Sequence, residues 1–134
     1  MKNIVIVPGG KVKPESYMYL AISLAAQGYD VTIVKTVFNL ASLTPNYGAK
    51  FLKEDMDNVV IGQSLGGTVA SLFSSGKDYV TDLIFLASYP ISDVTNKNVL
   101  IMTAEFDEVL DLEDIDGSRE FLPEDVIEFE ILGG

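Results

Sequence analysis

The sequence predicts an α/β protein, a parallel sheet of about six strands with helices on both faces in a three-layer sandwich. Short β-branched runs alternate along the chain with stretches whose apolar residues recur at helical spacing, which is the signature of a covered parallel sheet. Right-handed crossovers then restrict how the sheet is wound. The apolar fraction of 48% and the mean hydropathy of +0.27 fit an interior buried on both sides of the sheet. At 134 residues the chain is one domain, able to bury a core without staples.

Ile4 to Val7 reads as a buried strand that stops at the turn Pro8-Gly9-Gly10. Pro14 and Glu15 open a helix, in which Tyr17, Leu20, Ala21, Leu24 and Ala25 share a face and Gly28 ends the run. Val31 to Val34 is the second strand. Lys35 to Asn46 is a long loop, and Tyr47 to Glu54 a short helix. Asn58 to Gly62 is the third strand, followed by a helix from Leu65 to Ser75 rich in small residues. Asp82 to Leu86 and Asn98 to Met102 are strands four and five, joined by a connection from Ala87 to Lys97 too short to hold another domain. A weaker helix from Leu112 to Leu122 is interrupted by Gly117, and Val126 to Leu132 is the last strand.

Composition excludes several classes of function. A net charge of −11 disfavours nucleic acid, whose binding depends on Lys and Arg neutralising phosphates. The same charge disfavours anionic membrane surfaces, and no apolar run reaches the length of a membrane span. No signal peptide is recognisable, and the chain has no cysteine, so it carries neither disulfides nor a thiolate metal site. A cytoplasmic protein is expected. Twelve of the 20 carboxylates lie from Glu105 to Glu130, which reads as a solvated acidic edge. A calcium loop over Asp111 to Gly117 fails: with Gly117 as the sixth position, Leu112 falls where the first carboxylate belongs and Pro123 where the final glutamate belongs.

The stretch "VVIGQSLGGTVA" carries the most specific signal. Gly62-Gln63-Ser64-Leu65-Gly66 matches G-x-S-x-G between a strand and a helix, the context in which a sharp, strained turn lifts a serine hydroxyl above a sheet. Residues two before and two after the serine are expected to crowd each other, so both are glycine. The N–H groups at the helix start favour developing negative charge. The plainer alternative is a glycine-rich turn with Ser64 as an ordinary N-cap.

Two further features fall at the same sheet edge. Pro8-Gly9-Gly10 ends a parallel strand, and its bare backbone N–H groups are suited to hold an oxyanion together with the N–H of Leu65. A phosphate-binding reading fails, because Gly9-Gly10-Lys11-Val12 matches neither the P-loop nor G-x-G-x-x-G. Asp107 stands in the loop after the fifth strand, with Glu105 and Glu108 as alternative carboxylates and a solvated loop acid as the plain reading.

Taken together, "IVIVPGGKV", "LAAQGYDVTIVK", "IGQSLGG", "LIFLASYP" and "EFDEVL" resemble the α/β-hydrolase superfamily in order and spacing, specifically its small capless members of the dienelactone-hydrolase-like or esterase type. The resemblance implies that Ser64 is the nucleophile, Asp107 the triad acid, and Leu65 N–H with the Gly9-Gly10 turn the oxyanion hole. It implies no cofactor and no metal. The family places a histidine after the last strand, and this sequence contains none. Its final residues, Ile131 to Gly134, fall where that loop begins, so a C-terminally incomplete domain lacking the histidine and last helix is expected. Self-association through the face such a helix would cover is a further expectation. Lys11 or Lys77 as a substitute base has no spacing in its favour.

With no cap insertion in the Ser88 to Asn96 connection, the substrate pocket is expected from Gln63, from Phe38, Leu40, Leu43 and Tyr47 in the long loop, and from Tyr89 to Ile91. An open, mildly apolar cleft suits small carboxylic esters. The competing reading is a non-catalytic α/β-hydrolase-like binding or interaction domain. A nucleotide-binding flavodoxin-like domain is disfavoured by the elbow.

Overall fold

The structure is a computed structural model and describes residues 2–9, 17–34, 45–104 and 112–131. Six strands form one sheet: β1 (Lys2–Val7), β2 (Asp30–Ile33), β3 (Asp57–Gln63), β4 (Val80–Leu86), β5 (Asn98–Ala104) and β6 (Ile127–Ile131). Their spatial order is β2-β1-β3-β4-β5-β6, and every pairing is parallel. Helices α1 (Met18–Ala26), α2 (Leu65–Ser74) and α3 (Leu112–Gly117) are described, with 3-10 turns at Pro45–Phe51 and Arg119–Phe121.

The strand order decides where a site belongs. From β1 the chain winds outward to β2, then returns past β1 to β3 and continues the other way. Crossovers therefore diverge between β1 and β3, and the crevice above their C-terminal ends is where open α/β sheets bind ligands. Pro8-Gly9 and Gln63-Ser64 stand at those two ends. A flavodoxin-like sheet shares this order, so topology alone does not separate the two readings; the turn after β3 does.

Each strand sends alternate side chains to opposite faces. On one face Val5, Val7, Val60, Leu83, Phe85 and Ile101 pack with Val69, Ala70 and Phe73 of α2, and Phe73 and Phe85 are fully buried. On the other, Ile4, Ile6 and Ile61 pack with Tyr17, while Leu20 and Leu24 of α1 and the sheet residues Ile84 and Leu86 are only partly buried. No α1 residue is fully buried. Further along that face, β6 turns Ile127 (63% exposed), Phe129 (57%) and Ile131 (45%) to the outside. An apolar groove of about 450 Å³ runs over this floor between Leu24 and Ile127.

The strands lie where the sequence places them, within a few residues at each end. The expected helix over Tyr47–Glu54 is instead the 3-10 turn Pro45–Phe51. Its backbone lies against the Phe73 ring so closely that a Cβ on Gly48 would come within 2.6 Å of it. The weak helix over Leu112–Leu122 divides into α3 and the turn Arg119–Phe121 just after Gly117. The expected start of α1 at Pro14 lies outside the described residues. At the N-terminal edge of the sheet, a buried Asn3–Asn58 pair (2.9 Å) ties β1 to β3, and Asn58 Nδ2 donates to the carbonyls of Lys53, Met56 and Tyr79.

Candidate active site

Ser64 sits between the end of β3 and the start of α2 with φ +54° and ψ −125°, outside the regions open to an L-residue. Such a backbone costs about 1–3 kcal/mol and persists only where its surroundings fix it. Here they fix both sides of the residue. Ser64 N–H donates to the carbonyl of Leu86 on β4 (2.9 Å). Its carbonyl accepts from Gly67 N–H (3.0 Å) and from the hydroxyl of buried Ser88 (2.6 Å). Ser88 stands just past Ala87, the other non-glycine residue with positive φ among the described residues (+50°), whose N–H donates to the carbonyl of Met102 on β5 (2.7 Å). The ends of β3, β4 and β5 are thus linked through two strained residues.

The glycines of the motif make room for different neighbours. The expectation that positions 62 and 66 crowd each other holds from the Gly62 side, and Gly66 meets other neighbours as well. A Cβ on Gly62 would lie 2.5 Å from the Cα of Gly67, and 2.8 Å from the carbonyl oxygen of Gly66. A Cβ on Gly66 would overlap the carbonyl oxygens of Val7 and Pro8 at the end of β1. A Cβ on Gly67 would overlap the Ser88 side chain. Close approach of α2 to β1 and β3 is what the pattern encodes, and it brings Ser64 beside the Pro8-Gly9 turn.

Ser64 has no side-chain capping hydrogen bond to its helix, so it is not the ordinary N-cap that the plain alternative requires. Leu65 opens α2, and its N–H belongs to the first helical turn, whose donors lack intrahelical partners. Gly9 N–H donates to the phenolic oxygen of Tyr17 (3.3 Å), and the Tyr17 hydroxyl in turn donates to Gln63 Oε1. Tyr17 is buried, which pushes its phenol above the ordinary value, only partly offset by the Gly9 hydrogen bond.

Ser64, Leu65, Gln63 and Gly9 therefore share one sheet edge. Gly10, Phe38, Leu40, Leu43, Lys11 and Asp107 lie outside the described residues, as do Glu105 and Glu108. Tyr89 and Tyr47 pack against the core on the α2 face, Tyr47 edge-on to Phe51 at 5.6 Å between ring centroids. Lys77 is no partner for Ser64: it follows the far end of α2, where Nζ donates to the carbonyl of Phe73 (2.5 Å). Buried Lys97 bonds the carbonyls of Lys77 and Val80 in that region, and burial pulls its ammonium below the ordinary value. Among the described residues no group of three or more Asp or Glu is arranged to hold a metal ion, and no helix is long and apolar enough to cross a membrane.

Sequence reasoning missed Tyr17 and Ser88. Tyr17 reads as one more apolar residue of a helical face, and Ser88 as a small residue after a strand.

Residues 3–134 match the family model described as the alpha/beta hydrolase family. The chain belongs to that family. Among solved structures, it is similar to MGS-M1, an alpha/beta hydrolase enzyme from a Medee basin deep-sea metagenome library. The TM-score is 0.67 and the identity 20%, over 98% of this chain and 68% of that one. It is also similar to an esterase from Pyrobaculum calidifontis, with a TM-score of 0.70 and 14% identity over 100% of this chain and 67% of that one. At these identities the likeness is one of fold. No curated protein sequence matches the chain. For this α/β hydrolase, a strained serine at the switch point has the backbone setting of a nucleophile elbow.

Proposed function

We propose that Ser64 is the nucleophile of a serine hydrolase that acts on small carboxylic esters through an acyl-enzyme. One observation carries the reading: the φ of +54° at Ser64, pinned by Leu86, Gly67 and Ser88. That backbone is held by three hydrogen bonds, and strain maintained in this way clusters at functional sites. In the reaction, Ser64 Oγ adds to the ester carbonyl and its proton passes to a base. In this reading the N–H of Leu65 meets the developing oxyanion, with Gly9 N–H as the second donor. The alkoxide leaves as the alcohol after protonation, and water then releases the acid from Ser64. Asp107 is the carboxylate assigned to orient the base. The likeness to an esterase fits this substrate class but does not fix the acyl group.

The 134 residues contain no histidine, so they lack the usual proton acceptor for Ser64. On their own they are expected to acylate slowly, leaving only the contribution of the oxyanion site and binding. Added imidazole tests this. Release of p-nitrophenol from a short-chain acyl ester should accelerate with imidazole more in the wild-type chain than in Ser64→Ala, with the excess saturating in ester. Equal rates in the two proteins at every imidazole concentration would instead favour a non-catalytic binding domain.

A further inference from the structure

The hydrogen bonds around Gly9 have a direct consequence for ligand binding at Ser64. An N–H offers one hydrogen, and that of Gly9 points to Tyr17 Oη at 3.3 Å, within the buried part of the site. The phenol has one proton of its own, which it gives to Gln63 Oε1, an atom that can only accept. Tyr17 Oη therefore meets Gly9 as an acceptor, the same role an acyl oxygen would play there. One hydrogen shared between two acceptors weakens both bonds, so the phenol and an acyl oxygen compete for Gly9 N–H.

We infer that Tyr17 is a positioning residue that holds the Gly9 donor and must release it when an acyl oxygen binds, a role that rests on Ser64 being the nucleophile. Its two partners fit this task. Gly9 ends the strand on one side of the switch point, and Gln63 directly precedes Ser64 on the other, so the phenol spans the crevice. Tyr17 stands at the N-cap of α1 with no side-chain capping bond, on a helix with no fully buried residue, and is followed by the exposed Met18 and Tyr19. The ring is held by Ile4, Ile6 and Ile61, and among the described residues its hydroxyl bonds the two groups that line the site. Exchange of Gly9 between the phenol and an acyl oxygen thus couples the first turn of α1 to the elbow. A ligand that places an acceptor on Gly9 therefore binds less tightly than it would without the phenol, and strong acceptors displace the phenol more readily than weak ones.

Titration with n-butylboronic acid tests the exchange. Ser64 Oγ adds to the trigonal boron, the serine proton passes to solvent, and the anionic tetrahedral boronate presents a hydroxyl oxygen to the Leu65 and Gly9 donors. Binding is followed by boron NMR and by the amide resonance of Gly9, in the wild type, Tyr17→Phe and Ser64→Ala. Removing the competing hydroxyl should tighten binding by a factor of roughly two to ten, the span of one neutral hydrogen bond. A residue needed only for structure would weaken binding when altered. Equal or weaker binding by Tyr17→Phe, with the Ser64 adduct formed in the wild type, overturns the inference. An adduct that forms in neither protein, or equally in Ser64→Ala, instead overturns the hydrolase reading on which it rests. Should Tyr17→Phe not fold, Gln63→Met removes the acceptor that orients the phenol, and the same tightening is expected there; its absence overturns the inference.

Discussion

The two faces of the sheet are built to different standards. On the α2 face, Phe73 and Phe85 are fully buried, and backbone packs on backbone wherever glycine permits. On the α1 face, the helix has no fully buried residue, and the floor opens beyond β4 until Ile127 and Phe129 are more than half exposed. The elbow belongs to the first face: Gly62, Gly66 and Gly67 pack α2 onto β1 and β3, and Ser88 closes over Ser64. A strained residue needs neighbours that cannot yield. The looser face carries Tyr17, the side chain asked to move.

Truncation of a fully buried aromatic should give the largest contrast. Phe73→Ala is expected to lower stability by about 3–5 kcal/mol, because α2 and the Gly48 turn close poorly over the cavity left behind. Urea unfolding with an unchanged m value would show it. Gly66→Ala comes next: the new methyl meets the carbonyl oxygens of Val7 and Pro8, backbone atoms that move only with the strand. A loss of about 3 kcal/mol is expected from this overpacking, together with loss of Ser64 reactivity. Ser88→Ala removes one of the bonds that pin the Ser64 carbonyl, for about 1–2 kcal/mol, and should lower Ser64 reactivity by more than its effect on stability explains. On the open face, Phe129→Thr should change stability by no more than about 0.5 kcal/mol, as usual for exposed positions. A loss comparable to that of Phe73→Ala would show that the face is covered in solution.

The smallest effect expected is electrostatic and lies at the rim of the open face. Burial pushes the Asp82 carboxyl up, but hydrogen bonds from Thr81, Asn98 and Lys2 outweigh it and hold the group below its ordinary value of 3.8. A depressed carboxylate stabilises the folded chain above the unfolded value, and that contribution is lost as pH falls through the folded one. Asp82→Asn should therefore lower stability slightly at neutral pH, and the difference from wild type should shrink below about pH 3.8. A difference that is constant from pH 7 to pH 2 would show that the Asp82 charge does not matter.

Much of this was legible from local pattern. Apolar runs gave the six strands, since a buried strand such as β1 needs little beyond its own residues and exposed β6 still carries Ile127, Phe129 and Ile131 in alternation, and Gly62-Gln63-Ser64-Leu65-Gly66 marked the elbow. The reason for those glycines was less legible. Gly66 answers to Val7 and Pro8, more than fifty positions earlier, and no local spacing encodes that neighbour. Tyr17 and Ser88 were hidden for a similar cause: each acts through a single hydroxyl, on Gln63 and Gly9 or on Ser64, and no spacing pattern marks those partners. The turn at Pro45–Phe51, in place of the expected helix, packs its Gly48 backbone closely against the Phe73 ring, another contact distant in sequence.

The central claim is that the pinned turn makes Ser64 the reactive serine of this chain. Treatment with a fluorophosphonate followed by peptide mass spectrometry tests it most directly, since every serine competes in one experiment. The expected result is a single adduct on Ser64, absent in Ser64→Ala and reduced in Ser88→Ala. An adduct distributed over other serines, or none on Ser64, would contradict the account.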